Sequence, residues 1–411
     1  YTDSLMKRDW IPYQDALKEL RSYYKNREIE KPKITEELLE DFKGLNIWST
    51  EENGGFYLTD LGNRWAGNYR EGRQVYGADA IYAGLPGFSM RARAKIDVEG
   101  VKQGIELAHA AGKKVYLAFN LFAHDFEYAN MPRVAEIIKY LAPDALIVSD
   151  PGIVMWVREN FPDIPIHIST QANICSAKTV KFWQNAGAKL CVLAREVSHS
   201  EFKNIRKECP DVGLEIFVHG AMCMSYSGRC LLSNFVTGRP ANRGACAQLC
   251  RWKYDVILRE RESGLEMPID EDERGAYIMN SKDLCLMPRL AEVVSSNPDS
   301  LKIEGRNRSE YYVGSVVHAY RCALDAYARD PENFDPEPFM DDLNRLETRG
   351  YTTAFFDGPV TSDAHNYETT RSTSDFHAAG VITAADDDNI TFELRNETRA
   401  GDEITFILPN T

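Results

Sequence analysis

The fold this sequence predicts is α/β, a (β/α)8 TIM-like barrel, and three observations predict it. Short apolar runs recur from about residue 78: ADAIYAG (78–84), KVYLAFN (114–120), ALIVSD (145–150), PIHIST (165–170), KLCVLARE (189–196), LEIFVHG (214–220) and SLKIEGR (300–306). Amphipathic stretches such as VEGVKQGIELAHAAG and AKTVKFWQNAG separate the early runs. Each stretch closes on glycine, the usual helix C-cap. Strands alternating with helices at this spacing form βαβ units on a parallel sheet. Seven such units point to a barrel of eight with one strand missing or hidden.

The eighth strand has two readings. It is either FYLTDLGN (56–63), followed by a helix into YGADAIYAG, or it is absent and residues 1–72 are foreign to the barrel. Within 1–72, ALKELRSYY and TEELLEDFKGL have helical periodicity. WSTEENGGFYLTDLG then reads as a hairpin turning at Gly54–Gly55. Helix–helix–hairpin is the outline of a winged-helix unit, serving either packing or nucleic-acid contact. The barrel is expected over 73–330, with a cysteine-rich insert at 223–254. A helical or extended linker is expected at 331–375. A truncated small β-domain is expected at 376–411, where FHAAGVITAADDDNITFELRNETRAGDEITFILPN alternates strand and turn.

Composition narrows the class. Of 411 residues, 44% are hydrophobic and 27% charged, enough to bury a core of ordinary size. No run of 18 apolar residues occurs, so no membrane span is expected. The polar start YTDSLMKRDW lacks a signal-peptide pattern, and a cytoplasmic location is expected. Tyr1 in place of an initiator Met, and the stop at Thr411, suggest a fragment or trimmed chain. The net charge of −14 means that any contact with RNA must use a local basic patch. Nine cysteines without a secretion signal favour metal binding or chemistry over disulfides.

The strand runs end in polar or small residues: Asn120, Ser149–Asp150, Ser169–Thr170–Gln171, Arg195–Glu196, His219–Gly220 and Glu304–Gly305–Arg306. In barrels of this class the C-terminal strand ends carry the active site. The strongest local signal follows one of them, in HGAMCMSYSGRCLLSNFVTGRPANRGACAQLCRWKY. Cys223, Cys230, Cys246 and Cys250 are spaced C-x6-C, x15, C-x3-C. Two close thiol pairs joined by a glycine-bearing loop can grip one metal centre from two sides. Zinc and an iron–sulfur cluster both accept four thiolates; the long C-x6-C pair leans towards the cluster, with zinc the runner-up.

Charge adds a second clue. Residues 223–254 carry Arg229, Arg239, Arg243, Arg251 and Lys253 and no Asp or Glu. At the average acid content, such a blank window has a chance of roughly 0.5%. These cations suit an anionic cluster, an anionic substrate or an RNA phosphate. Among the other cysteines, Cys191 and Cys322 read as core, while Cys285 could approach a cluster. His219, between a strand and the cysteine segment, is the histidine best placed for chemistry. Arg91 and Arg93 follow an early strand end and could grip a carboxylate. HExxH, G-x-S-x-G and Walker patterns are absent.

LEIFVHGAMCMSYSGRCLLS resembles the signature of the peptidase U32 family. YGADAIYAG, ISTQAN, ACAQLCRWKY, YIMNSKDL, SLKIEGR and RGYTTAFF match it further, in the family's order, from about Tyr76 to Asp375. SDPGIV, FPDIPIHISTQAN, the C-x3-C-R-W-K-Y ending and HNYETTRSTSDF are similar to the bacterial branch that hydroxylates tRNA. That resemblance implies a [4Fe–4S] cluster on Cys223, Cys230, Cys246 and Cys250. It also implies hydroxylation of the wobble uridine at carbon 5 and prephenate, a small organic acid, as co-substrate. Two departures stand out: the family's opening strand, which reads like LLSPAG, has no clear counterpart, and the C-terminal β-domain is partial.

On that reading tRNA is the partner and the strand-end pocket holds the organic acid and a flipped uridine. Lys302, Arg306 and Arg229 are expected anion contacts, with Arg91 and Glu304 also lining the substrate site. Gln171 and Asn173 are expected to read the base edge, and His219 to move protons. A U32-type peptidase and a metal-stabilised RNA-binding scaffold are the alternatives, with hydroxylation of a quinone precursor behind them.

Overall fold

The computed structural model describes residues 76–85, 97–223, 225–230, 232–237, 246–251, 257–259, 266–268, 281–305 and 308–360, and scattered residues from 364 to 404. The winged-helix expectation for 1–72, the candidate strand 56–63, Arg91 and Arg306 lie outside them.

Six strands follow one another in parallel, each paired with the next: β1 (Ala80–Gly84), β2 (Lys114–Phe119), β3 (Ala145–Val148), β4 (Ile166–Ile168), β5 (Ala188–Val192) and β6 (Gly213–Gly220). Helices α1 (Val98–Ala110), α2 (Asp125–Tyr128), α3 (Met131–Leu141), α4 (Pro151–Asn160), α5 (Ala177–Asn185) and α6 (His199–Glu208) fill the connections. Their starts are chemically marked. Asp97 accepts the Gly100 amide at 2.8 Å, and Ser198 with Glu201 forms a capping box on α6. The glycines that close α1 and α5 in the sequence, Gly112 and Gly187, sit at φ +65° and +100°, a region that favours glycine.

Strands β3 and β4 are buried along their whole length. Leu117, Phe119, Leu146, Val148, Ile168 and Leu214 form the core between sheet and helices. Continuous apolar strands covered on both faces are what a parallel sheet under helices requires.

After β6 come a short α7 (Leu232–Thr237) in the cysteine segment and a small antiparallel hairpin, β7 (Ile257–Arg259) with β8 (Glu266–Pro268). Strand β9 (Asp283–Cys285) runs antiparallel to the end of β6, setting His219 opposite Cys285. Helix α8 (Leu290–Ser295) leads to β10 (Ser300–Glu304), which pairs in parallel with β6. The long α9 (Glu310–Arg329) and α10 (Glu337–Asn344) pack over a second core of Leu290, Val316, Ala319 and Leu343. Strand β11 (Tyr351–Thr352) pairs with β9, and β12 (Gly380–Ala385) with β13 (Ile390–Leu394) forms a separate antiparallel hairpin.

The parallel set β1–β6 and β10 makes seven barrel strands. Among the described residues, β1 and β10 each pair on one side only. Between them lies a cavity of about 810 Å³, flanked by Ile81 and Ile303 on the sheet side and Val101, Ile105, Val313 and Val317 on the helical side. Strand β10 is half-buried at all five positions, whereas β6 beside it is mostly buried. The eighth-strand position is thus an open seam among the described residues, and the barrel is incomplete there.

Gly220 closes β6 where β6 meets β10. Its φ is +117°, and a Cβ there would fall on the Glu304 backbone. Gly220→Ala is expected to cost about 1–3 kcal/mol, read as a lower urea midpoint; an unchanged midpoint would show that β10 can move aside.

Candidate active site at the barrel mouth

The C-terminal ends of β4, β5 and β6 meet under the start of the cysteine segment. Ile168 pairs with Cys191 across β4 and β5. Beyond it, the Thr170 hydroxyl donates to the Leu193 carbonyl at 3.2 Å, and the Ala194 amide donates to the Ile174 carbonyl at 3.0 Å. The segment holding Cys223 is fastened onto this platform. The Ser227 amide and hydroxyl donate to the two oxygens of Glu196 at 2.9 and 3.1 Å. The Asn173 amide donates to the Ser227 carbonyl at 3.3 Å. Gly228, at φ +75°, lies so close to Gln171 that a Cβ would come within 2.5 Å of its carbonyl oxygen. Only glycine lets the chain pass there.

The sequence-predicted residues divide by what this packing leaves them. Gln171 is 4% exposed; its side-chain oxygen accepts the Ser149 hydroxyl at 3.1 Å, and its NH2 group has no acceptor among the described residues. Asn173, at φ 55°, is occupied at both ends of its amide, by Ser227 and by the Cys175 thiol at 3.1 Å. Asp150 caps α4 by accepting the Ile153 amide at 3.0 Å. Arg229 is exposed beside Tyr226.

Lys302 lies in the barrel interior. Its ammonium is 3.2 Å from Glu215 and 3.0 Å from the Tyr82 ring centroid. Glu304 stands at the mouth, 3.8 Å from Arg195.

His219 has no solvent contact. The rings of Tyr312, Tyr320 and Tyr351 enclose it at centroid distances of 5.8, 5.6 and 5.3 Å, and neither ring nitrogen has a partner among the described residues. Burial, reinforced by Arg308, pushes its pKa down to about 3, so it is a neutral imidazole at pH 7.

Of the four cysteines, Cys230 and Cys246 lie within electrostatic range of Cys223. Cys223 keeps an exposed face. Loss of hydration still raises its thiol pKa and the Cys230 and Cys246 thiols add repulsion, while the Ser225 amide and Arg195 pull the other way. The Gln248 amide donates to the Cys246 sulfur at 3.4 Å, and the Ala247 amide to the Ser233 hydroxyl at 2.9 Å. Two thiols in electrostatic range of a third, with backbone N–H groups on sulfur, have the donor chemistry of a thiolate-held centre. Among the described residues no three ligating side chains close on a common point. The remaining thiols are of another kind. Cys191 and Cys285 are buried with pKa values pushed up by burial to about 12 and about 11. Cys322 is half-buried on α9.

Arg195 stood out in the sequence only as a strand-end residue. Its guanidinium lies 3.7 Å from the Phe217 ring centroid with 13% of the side chain exposed, and Cys223 lies within electrostatic range. The available signal was its position, three residues past the last residue of β5.

A parallel α/β barrel bearing a cysteine-rich segment across its mouth defines the class of protein. Peptidase family U32 matches residues 72–366, and the chain belongs to that family. The chain is 39% identical over 377 residues to "tRNA hydroxylation protein P" of Escherichia coli, covering 82% of this chain and 83% of that one. It is 34% identical to "23S rRNA 5-hydroxycytidine C2501 synthase" of the same organism, over 61% of this chain and 37% of that one. It is 31% identical to "Collagenase" of Porphyromonas gingivalis, over 82% of this chain and 83% of that one. Among the described residues no helix is long and apolar enough to cross a membrane.

Proposed function

We propose that this chain hydroxylates RNA, and that its target is the wobble uridine of tRNA, converted to 5-hydroxyuridine. The observation that carries the reading is the cysteine segment fastened across the strand ends of the barrel. Two relatives with quite different shares of their own length covered both carry names that describe RNA hydroxylation. The segment also presents to solvent what RNA needs. Tyr226 and Phe235 are 63% and 87% exposed, in an acid-free stretch with Arg229. Bases stack on such rings and phosphates pair with such cations.

Cys223, Cys230, Cys246 and Cys250 would hold a [4Fe–4S] cluster, with one zinc ion as the alternative occupant. Such a cluster supplies electrons to a reaction at the mouth. The residues around it bind and position. The Gln171 NH2 group is left to donate to a substrate oxygen, whereas Asn173 braces the cysteine segment. His219 stays neutral and holds no charge towards substrate. Prephenate is the proposed small-acid co-substrate.

The decisive experiment compares wild type with Cys230→Ala, both purified without air. Wild type is expected to contain iron and sulfide and to raise 5-hydroxyuridine in tRNA from a strain lacking the activity. Cys230→Ala is expected to lose both properties. Hydroxylation retained by the variant would sink the proposal, and tRNA binding with unchanged nucleosides in wild type would favour a scaffold.

Among the described residues, a thiol–imidazole contact that a peptidase reading could use joins Cys322 and His318 at 3.6 Å. It lies on α9, outside the barrel. Burial raises the thiol pKa, and Asp325 and Asp342 raise it further, the reverse of an activated nucleophile.

A further inference from the structure

Arg195 is a largely shielded cation whose nearest carboxylate faces it without a hydrogen bond. A guanidinium presents five donors in a fixed fork. This one is 13% exposed, stacked on Phe217, and its nearest carboxylate, Glu304, stands at 3.8 Å, beyond hydrogen-bonding distance. No hydrogen bond to it occurs among the described residues. On the neighbouring strand end, the Gln171 NH2 group is 4% exposed as a residue and equally without an acceptor. The bonds from Thr170 to Leu193 and from Ala194 to Ile174 hold the two side chains' segments together. Gln171 packs against Gly228 of the cysteine segment, and Arg195 lies within electrostatic range of Cys223. A buried donor left unmatched is costly, as the Gln171 NH2 group is, and a guanidinium with no hydrogen bond on the adjacent strand end offers a second set of donors to the same acceptor.

We propose that Arg195 and Gln171 form the binding site for a small carboxylate. One carboxylate group takes the Arg195 fork, and a second oxygen function accepts from Gln171. The site deepens the hydroxylase reading, on which the identity of the acid rests. It moves the anion contact from Lys302, whose ammonium faces Glu215, to a residue that reaches the mouth.

Calorimetric titration of the full chain, purified without air, with prephenate and separately with inorganic phosphate tests this. Saturable prephenate binding without phosphate competition is expected. Arg195→Met is expected to weaken it about 10- to 100-fold. Arg195→Lys, which keeps the charge but loses the fork, should fall between, and Gln171→Leu should lose about 5- to 20-fold. Iron content and melting temperature are expected to stay at wild-type values in Arg195→Lys and Gln171→Leu. Absence of saturation in wild type at millimolar acid, or binding within twofold of wild type in Arg195→Met, would overturn the site. Loss of iron from Arg195→Met with the acid still bound would assign the guanidinium to the cysteine centre and overturn it as well. Binding through Arg195 by a wild type that leaves tRNA unmodified keeps the site and removes the hydroxylase reading.

Discussion

Glu215→Ala is expected to lower stability by about 3–5 kcal/mol, because it removes the carboxylate that faces a largely buried ammonium inside the barrel. Glu215 is fully buried on β6. Its carboxylate accepts from the Tyr82 hydroxyl and, at 2.7 Å, from the Ser300 hydroxyl, and it faces the Lys302 ammonium at 3.2 Å. Burial alone would raise its pKa; Lys302 and the hydroxyls of Tyr82 and Ser300 outweigh burial and hold it below the ordinary carboxylate range. Removing the carboxylate leaves Lys302, 13% exposed, with its desolvation uncompensated by that partner. Glu215→Gln keeps acceptors for the hydroxyls and should cost less. The double variant Glu215→Met/Lys302→Met should recover most of the loss, since an apolar pair of similar volume replaces an ion pair at little cost. Urea unfolding of the four proteins checks this. A single variant that loses under about 1 kcal/mol would show that Lys302 has an equal partner elsewhere.

That pair also explains why part of the site was hidden in the sequence. The strands were legible because burial on both faces demands continuous apolar runs, and ALIV at 145–148 or IHI at 166–168 can serve little else. The glycines after α1 and α5 were legible because a left-handed closing residue admits few alternatives. Lys302 was harder. It lies in the same run as Glu304, and period-two alternation alone does not say at which level of the barrel a side chain ends. Register supplies that: Lys302 pairs with Phe217, one strand step below the mouth, while Glu304 pairs with Gly220 at the top. The short β9, antiparallel to β6, was equally out of reach, since three residues carry no periodic signal. Arg195 was visible as a strand end, but its lack of an acceptor is a property of packing. The cysteine quartet needed no structure to be noticed, because four thiols within 28 residues are rare in any context.

Stability is expected to fall as pH drops from about 6.5 towards 4, through two buried histidines. His219 is enclosed by tyrosines, and burial with Arg308 pushes its pKa down to about 3. His167, on β4 and 4.7 Å from the Tyr116 ring, is lowered to about 4, chiefly by burial; Glu215 opposes the shift and Lys302 and Lys114 add to it. Both folded-state values lie below the unfolded value of about 6.5. The unfolded chain therefore binds more protons than the folded one between those limits, and stability must rise with pH across that window. Above about pH 6.5 the contribution is complete. Below it, each histidine removes roughly 1.4 kcal/mol per pH unit until its folded pKa is reached. At pH 5 the loss is about 2 kcal/mol per histidine relative to pH 7. Glu215, held low in the folded state, acts below about pH 4.3, where it overlaps only the lower end of the histidine window, so the histidine effect is read cleanly between pH 6.5 and 5. His219→Phe keeps a ring among the three tyrosines and removes the titration. Its urea midpoint should change with pH markedly less steeply than that of wild type between pH 6.5 and 5, and the double variant with His167→Phe should keep only a small slope, to which His199, also lowered by burial, contributes. Equal slopes in wild type and double variant would mean that neither imidazole is held neutral.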